Sequence, residues 1–503
     1  MQMFKLGEYK ARVEKRISTW KKYGFVRKLW DKDPSLWFPK PEPEVIDRLG
    51  WLSLPETMPE MLDGYVSFAD DVKKEGISHV VLLGMGGSSL APEFFQKTFG
   101  NEVGFPELTI LDSTHPEAIL ALDKALDLNQ TLFVVSSKSG TTLETLSLFR
   151  YFWNRMSNVT QNPGCRFAAI TDPGSPLVRL GNERNFRAIY QAPSEVGGRY
   201  SALSVFGIVP AALMGMDIHK LLDRAWIASE NNAFCVSEEK ATGLILGAAL
   251  GELAAKRDKL TIFSTNSLNS FPDWLEQLIA ESTGKMGKGI IPIVREPLLS
   301  VDNYRKDRFF IGFALEEESR QDFDKRFKEL EYAGHPTIFF NLSDKFDLGQ
   351  EIFLWEIAIA SAGSVLGIHP FNQPDVQLAK DLAREAMQKQ EKKDESQVEI
   401  VSVKKPEILA EHIEMWIQLA KEGDYIAIQA YLAPHPDISA ALQKIRFELL
   451  SRTGKATTLG YGPRFLHSTG QLHKGGPNTG LFLQIVDESG EDLAIPETDY
   501  TFG

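Results

Sequence analysis

The chain has 503 residues, 43% of them hydrophobic and 24% charged, the usage of a folded protein of roughly two to four domains rather than a disordered, collagenous or coiled-coil one. Fifty-five basic residues against 68 acidic ones leave a formal charge of -13, which repels phosphate backbones and argues against general nucleic-acid binding. The two cysteines, Cys165 and Cys235, cannot build a disulfide framework and lack zinc-site spacing, so a reducing, cytoplasmic setting without a metal is expected.

Residues 1–30 carry nine Lys/Arg against two Glu and no apolar signal-peptide core. They read as a solvated helical leader, extending to about residue 60, that packs Phe4, Trp20 and Trp30 on the body. After the Pro-punctuated stretch Trp37–Pro59, short apolar runs alternate with amphipathic segments, the rhythm of an α/β fold with parallel strands. Strands are predicted at Ser78–Leu83, Leu108–Leu111, Leu132–Ser136, Phe167–Thr171 and Arg187–Tyr190, with a helix over Thr142–Met156. These form a first domain over 61–215, closed by a helix near Ala202–Met214. A second domain over 216–395 repeats the rhythm with a helix around Glu239–Arg257, a strand Leu260–Phe263, a helix Pro272–Ser282 and a strand Ile290–Val294. Its longest apolar stretch, Leu244–Leu253, is broken by Gly and Glu well short of the roughly 20 residues that span a membrane. The charged run Lys389–Ser396 reads as an exposed linker to a C-terminal segment over 396–503. That segment holds helices at Pro406–Lys421 and near Ile438–Leu450, then a Gly-rich, loop-rich stretch from Gly460 to Gly480.

Two loops after predicted strands suit an oxyanion. Gly84-Met85-Gly86-Gly87-Ser88-Ser89 combines a tight glycine turn with N–H groups at a helix start. It lacks the third glycine of a dinucleotide fingerprint, and no Walker A spacing occurs at Gly284-Lys285 or Gly454-Lys455. Ser136-Ser137-Lys138-Ser139-Gly140-Thr141-Thr142-Leu143-Glu144-Thr145 gathers hydroxyls and one ammonium at a second helix start, a pocket for a single phosphate. Alone, such a turn is as readily a helix cap, with Thr142 and Thr145 satisfying backbone donors.

With Gly197-Gly198-Arg199-Tyr200-Ser201, these loops resemble the phosphoglucose isomerases. Gln277-Leu278-Ile279-Ala280-Glu281-Ser282-Thr283-Gly284-Lys285 is similar to the family's stretch around the catalytic glutamate, and Phe371-Asn372-Gln373-Pro374-Asp375-Val376-Gln377-Leu378-Ala379-Lys380 to its lysine signature. The resemblance extends over nearly the whole chain, including Tyr461–Ile485, to the isomerase half of bifunctional transaldolase/phosphoglucose isomerases, without a transaldolase barrel. It implies two sugar-isomerase domains, each a parallel sheet flanked by helices, and a cofactor-free conversion of glucose 6-phosphate to fructose 6-phosphate through a cis-enediol. The partners it implies are a sugar phosphate substrate, a second copy of the chain in a homodimer, and metabolism shared with a transaldolase; no membrane or nucleic-acid partner is expected.

Moving a proton between adjacent carbons needs one carboxylate as base and then acid. Glu281 is the candidate, late in its helix where the dipole disfavours negative charge. Arg199 supplies a fixed guanidinium for the enediolate. Ser88, Ser137, Lys138, Ser139 and Thr142 are expected on the phosphate, and Gly86, Gly87, Gln277 and Gln373 elsewhere on the substrate. The resemblance assigns Lys380 a part in ring opening, although Asp375 and Gln377 replace the usual Gly and Glu of its motif. The family also uses a histidine, commonly from across the dimer interface, in a Gly-x-Gln-His element that is missing between Glu281 and Lys380. The nearest equivalent, His467-Ser468-Thr469-Gly470-Gln471-Leu472-His473, lies downstream; His473 is preferred over His467. His369, directly before Pro370, reads as a helix-entry residue. The rival functions are a dual phosphoglucose/phosphomannose isomerase and a non-catalytic sugar-phosphate sensor.

Overall fold

In the computed structural model, which describes residues 2–40, 42–376, 382, 400–487 and 490–503, the chain opens on a short strand, β1 (Gln2–Lys5), ahead of the helix Lys10–Tyr23. The helical leader thus begins later than its sequence suggests. Phe4 lies on an edge strand, with Gln2 opposite Phe340 and Lys5 opposite Thr337 in antiparallel register. Trp20 is buried, and Phe4 and Trp30 pack against the same core.

Five strands, β2 (His79–Gly84), β3 (Glu107–Leu111), β4 (Thr131–Ser136), β5 (Phe167–Thr171) and β6 (Ala188–Gln191), form a parallel sheet in the order β3-β2-β4-β5-β6. Each predicted strand here falls within one residue of the observed one. Both faces are covered, so β2 and β4 read as continuous apolar runs. The strand period of two divides their side chains: Val80, Leu82, Leu132 and Val134 face one core, and Val81, Leu83, Phe133 and Val135 the other.

The second sheet contains β7 (Lys259–Ser264), β8 (Ile291–Val294), β9 (Arg308–Leu315) and β10 (Thr337–Leu342), in the order β8-β7-β9-β10-β1. Both sheets place their first strand between the second and third, then add the fourth. The fifth place, held in the first sheet by parallel β6, is taken in the second by antiparallel β1. The helix Leu348–Leu366 is buried at every position from Leu348 to Gly363 except Gln350 and packs on the helices Thr242–Ala254, Ile218–Asn231 and Phe271–Thr283. A helix apolar on all sides can only be stable inside a core, and this one belongs to the cluster that joins the leader, one face of the first sheet and the second sheet.

The C-terminal segment is a third parallel sheet, β11 (Tyr425–Tyr431), β12 (Thr457–Tyr461) and β13 (Gly480–Val486), in the order β12-β11-β13 with the helix Pro436–Thr453 crossing between β11 and β12. Arg446 on that helix is buried and donates to Val294 O and Arg295 O, each at 3.0 Å, tying the third sheet to the end of β8. The stretch expected to be mostly loop holds a turn at Arg464–His467 and a short helix, Gly470–Gly475. The expected linker Lys389–Ser396 lies outside the described residues.

Candidate active site

Three loops at the carboxyl ends of first-sheet strands, the helix Phe271–Thr283 and the segment 462–475 converge on one place. In open parallel sheets ligands bind at these strand ends. Close backbone approach needs the glycines after β2. Gly86 has φ +56°, and a Cβ there would sit 2.7 Å from His467 O; a Cβ on Gly87 would sit 2.2 Å from Gly198 O. The loops after β2 and β6 and the 467 segment are therefore in contact through backbone.

Glu281 and Arg199 meet beneath them. Arg199 is 3% exposed and Glu281 9%. Arg199 Nη1 donates to Glu281 Oε1 at 3.0 Å, and Nε to Ser282 Oγ at 2.7 Å. The guanidinium also donates to Pro370 O (2.7 Å), Asn372 O (3.1 Å) and Gln373 Oε1 (3.3 Å), so all three nitrogens are engaged. The second carboxylate oxygen of Glu281 accepts from Gln277 Nε2 at 3.0 Å, one helical turn back. Gln277 Nε2 also donates to His467 O at 2.8 Å, and its Oε1 is buried with no partner among the described residues. Tyr200, beside Arg199, stacks on Trp51 at 5.2 Å and places its hydroxyl 3.4 Å from Ser282 Oγ.

The loop after β4 carries the expected hydroxyls, and it does not use them as a helix cap. Thr142 precedes the helix Leu143–Ser157 without a side-chain capping bond, and its Oγ1 lies 3.0 Å from Ser137 Oγ. Thr145 Oγ1 and Ser136 Oγ are buried without partners among the described residues. Ser139 Oγ pairs with Thr141 Oγ1 at 2.9 Å. Ser88 is buried in the turn Gly86–Ser88. Lys138 differs from expectation: Nζ forms an ion pair with Asp172 and donates to Ser194 O at 3.3 Å, so its charge is already balanced within the protein. Burial raises the Asp172 carboxyl, against the pull of that ammonium.

The histidine preferred from the sequence is turned elsewhere. His473 sits in an aromatic pocket, its ring centroid 5.2 Å from Phe482, 6.0 Å from Phe465 and 6.4 Å from Tyr425. Burial, with a smaller push from Lys474, lowers it to about 4, and its Nε2 has no partner among the described residues. His467, the other candidate, lies beside the Glu281 helix: its carbonyl accepts from Gln277, and its Nε2 lies 2.8 Å from Glu144 Oε1, on the helix after the hydroxyl loop. Arg464, in the same turn, sets its position. Its Nη1 lies 3.0 Å from Asp112 Oδ2, and its Nη2 pairs with Glu93. Burial works to raise Glu93, but Arg464 and Lys97 hold it at about 2.

Gln373, expected on the substrate, accepts from Arg199 through its Oε1, whereas Gln377 and Lys380 lie outside the described residues. His369 enters no helix; it follows Leu348–Leu366 in a turn, where Nδ1 accepts from the N–H groups of Phe371 and Asn372, each at 3.2 Å. Glu144, Lys285 and Arg464 also border the site and are not among the residues singled out from the sequence. The first two stood inside motifs already singled out, but Arg464 carries no local signal.

The phosphoglucose isomerase family model matches residues 67–289, a span holding both hydroxyl loops, Arg199, Gln277 and Glu281. The glucose-6-phosphate isomerase of Methanocaldococcus jannaschii is 27% identical over 388 residues, covering 67% of this chain and 94% of that protein. The enzyme of the same name from Mycoplasmopsis pulmonis is 29% identical over 386 residues, covering 67% and 89%. Among solved structures, a hypothetical protein from Thermus thermophilus superposes with a TM-score of 0.65 at 24% identity, over 77% of this chain and all (100%) of that one. A glucose-6-phosphate isomerase from Chlamydia trachomatis does so with 0.56 at 18% identity, over 78% and 81%; both likenesses are of fold. The matched span covers the first sheet and the Arg199–Glu281 pair, and the relatives extend the likeness to two thirds of the sequence, so over that length the chain is similar to the phosphoglucose isomerases.

Proposed function

We infer that the chain interconverts glucose 6-phosphate and fructose 6-phosphate by acid–base proton transfer through a cis-enediol intermediate. The observation that carries this is the buried 3.0 Å contact between Glu281 and Arg199: a base, and beside it a fixed cation for the charge that the base creates. Curated relatives named glucose-6-phosphate isomerase point the same way. Glu281 takes the proton from C2 of the aldose and returns it to C1. Both of its oxygens are already engaged, by Arg199 and Gln277, so the substrate must displace one of these bonds. Arg199 then offsets the negative charge on the enediolate oxygens, an interaction strongest in the transition state.

The hydroxyls of Ser88, Ser137, Ser139 and Thr142 suit the phosphate, held at a distance from the reacting carbons. Binding energy gained there orients C1 and C2 against Glu281. Ring opening falls to His467, with Glu144 stabilising the imidazolium when it carries a proton; Lys380, the family's other ring-opening group, lies outside the described residues. His467 and Glu144 meet within one chain, so the pair is complete without a second subunit, and a cytoplasmic homodimer working alongside a transaldolase stays an expectation of the family likeness.

A coupled assay of fructose 6-phosphate conversion, on the wild type and a folded Glu281→Gln variant, tests this reading. The variant should lose about 10²–10⁴-fold in kcat. A wild type that binds the sugar phosphate without converting it, or a variant with undiminished turnover, would refute it.

A further inference from the structure

The turn His369–Gln373 receives two buried cations from separate elements. Arg199, from the loop after β6, donates to Pro370 O, Asn372 O and Gln373 Oε1. Lys285, just beyond the helix that carries Glu281, is 2% exposed and donates from Nζ to His369 O at 2.5 Å. The turn has its own lock. His369 Nδ1 accepts two backbone N–H groups, which leaves Nε2 as the protonated nitrogen that donates to Pro43 O at 2.9 Å. Burial lowers that imidazole to about 4, so it stays neutral near pH 7. The carbonyl oxygens of His369, Pro370 and Asn372 offset the two positive charges that this turn receives. The strain of the arrangement falls on the lysine: burial, and next the Arg199 guanidinium, press its ammonium well below the usual lysine range, with Glu281 pulling the other way.

We propose that Lys285 is a positioning residue for the isomerisation: by holding His369 O it fixes the turn on which Arg199 rests, and so sets the guanidinium against Glu281 in the orientation that meets the enediolate. This rests on the function inferred above. Arg199 matters most once negative charge has developed, whereas the phosphate is gripped by the loops after β2 and β4. Loss of Lys285 should therefore act on kcat and spare KM, a division that a merely structural lysine would not produce.

The test takes the wild type, Lys285→Met and Lys285→Arg through steady-state kinetics and through binding of two inert sugar phosphates. One is an aldonic acid phosphate, whose planar carboxylate imitates the enediolate; the other is a hexitol phosphate, which carries no charge at C1 or C2. Lys285→Met should lose about tenfold to a hundredfold in kcat with KM within about twofold, as expected when a reacting group is misplaced by a fraction of an ångström. It should lose the aldonate in proportion while keeping the hexitol phosphate, and Lys285→Arg should recover part of both losses. Wild-type turnover in Lys285→Met, or equal loss of both ligands, overturns the proposal. If Lys285→Met does not fold, Lys285→Arg decides alone: selective weakening of the aldonate is expected, and wild-type behaviour overturns. A wild type that fails to isomerise sinks the inferred function and this role together, whereas an active wild type beside an unchanged Lys285→Met sinks only the role.

Discussion

Glu144 and His467 stand 323 residues apart in the chain and 2.8 Å apart in the fold, and the pairing separates two histidines that the sequence places six positions from one another. His467 ends the turn Arg464–His467 with its side chain toward the first sheet, whereas His473 lies on the helix Gly470–Gly475 and faces Tyr425, Phe465 and Phe482. Composition and spacing could not tell them apart, because both sit in the same Gly-rich stretch; which one meets a carboxylate depends on a helix start that no local residue announces. His467→Asn should therefore slow the cyclic substrate by about 10²-fold. An aldose phosphate whose ring-closing hydroxyl has been removed should be turned over nearly as in the wild type, because the carbons and Glu281 are untouched. Equal losses on both substrates in stopped assays would remove His467 from ring opening.

Between elements, the loops around the Glu281–Arg199 pair are held by ion pairs that join the C-terminal segment to the first-sheet unit. Arg464 brings the C-terminal segment down on Asp112, just after β3, and on Glu93, in the helix Leu90–Phe99 that follows β2, and Asp112 in turn accepts from Ser89 Oγ at 3.2 Å, at the end of the glycine turn. Removing the arginine leaves Asp112 without its cation and Glu93 with Lys97 alone, and breaking a buried pair from one side is strongly destabilising. Arg464→Met should lower stability by about 3 kcal/mol, toward the low end of the range for buried pairs because the arginine side chain keeps 24% of its exposure. It should also reduce turnover, since His467 would lose its anchor; urea unfolding and the coupled assay read the two effects separately. Unaltered stability would mean that Lys97 alone satisfies Glu93. The strands of the first sheet were legible because each is a short apolar run between turn residues, with β2, β4 and β5 covered on both faces. β9 and β10 went unread although every residue of β9 is buried, and β1 went unread because four residues on an edge carry too little periodicity to register.

Across the whole molecule, buried titratable groups of opposite sense shape the dependence of stability on pH. His335, His369 and His473 are each lowered to about 4 from 6.5, burial being the first cause. The unfolded chain therefore binds their protons first, and the stability they permit is lost as pH falls from about 6.5 toward 4. Glu356 is the reverse case: fully buried, with both oxygens unpartnered among the described residues, its carboxyl is raised well above 4.5 by burial. It keeps its proton in the fold while the unfolded chain releases it, so its contribution falls as pH rises above about 4.5. Urea midpoints of His473→Leu should fall less steeply than those of the wild type between pH 6.5 and 4, and those of Glu356→Gln should decline less as pH rises above about 4.5, the direction set by the raised carboxyl. Slopes equal to the wild type's would show that these groups titrate alike in both states. What the sequence alone determined is what short range controls: the parallel α/β rhythm, the glycine and hydroxyl turns at strand ends, and Glu281 four residues after Gln277 on one helix face. The tertiary structure decided the rest: the meeting of Glu281 with Arg199, that of His467 with Glu144, and the cradle that holds Lys285. The reason is that each of those contacts joins residues tens to hundreds of positions apart, so the packing of the sheets and the C-terminal segment sets their distance, and no periodicity in the chain encodes it.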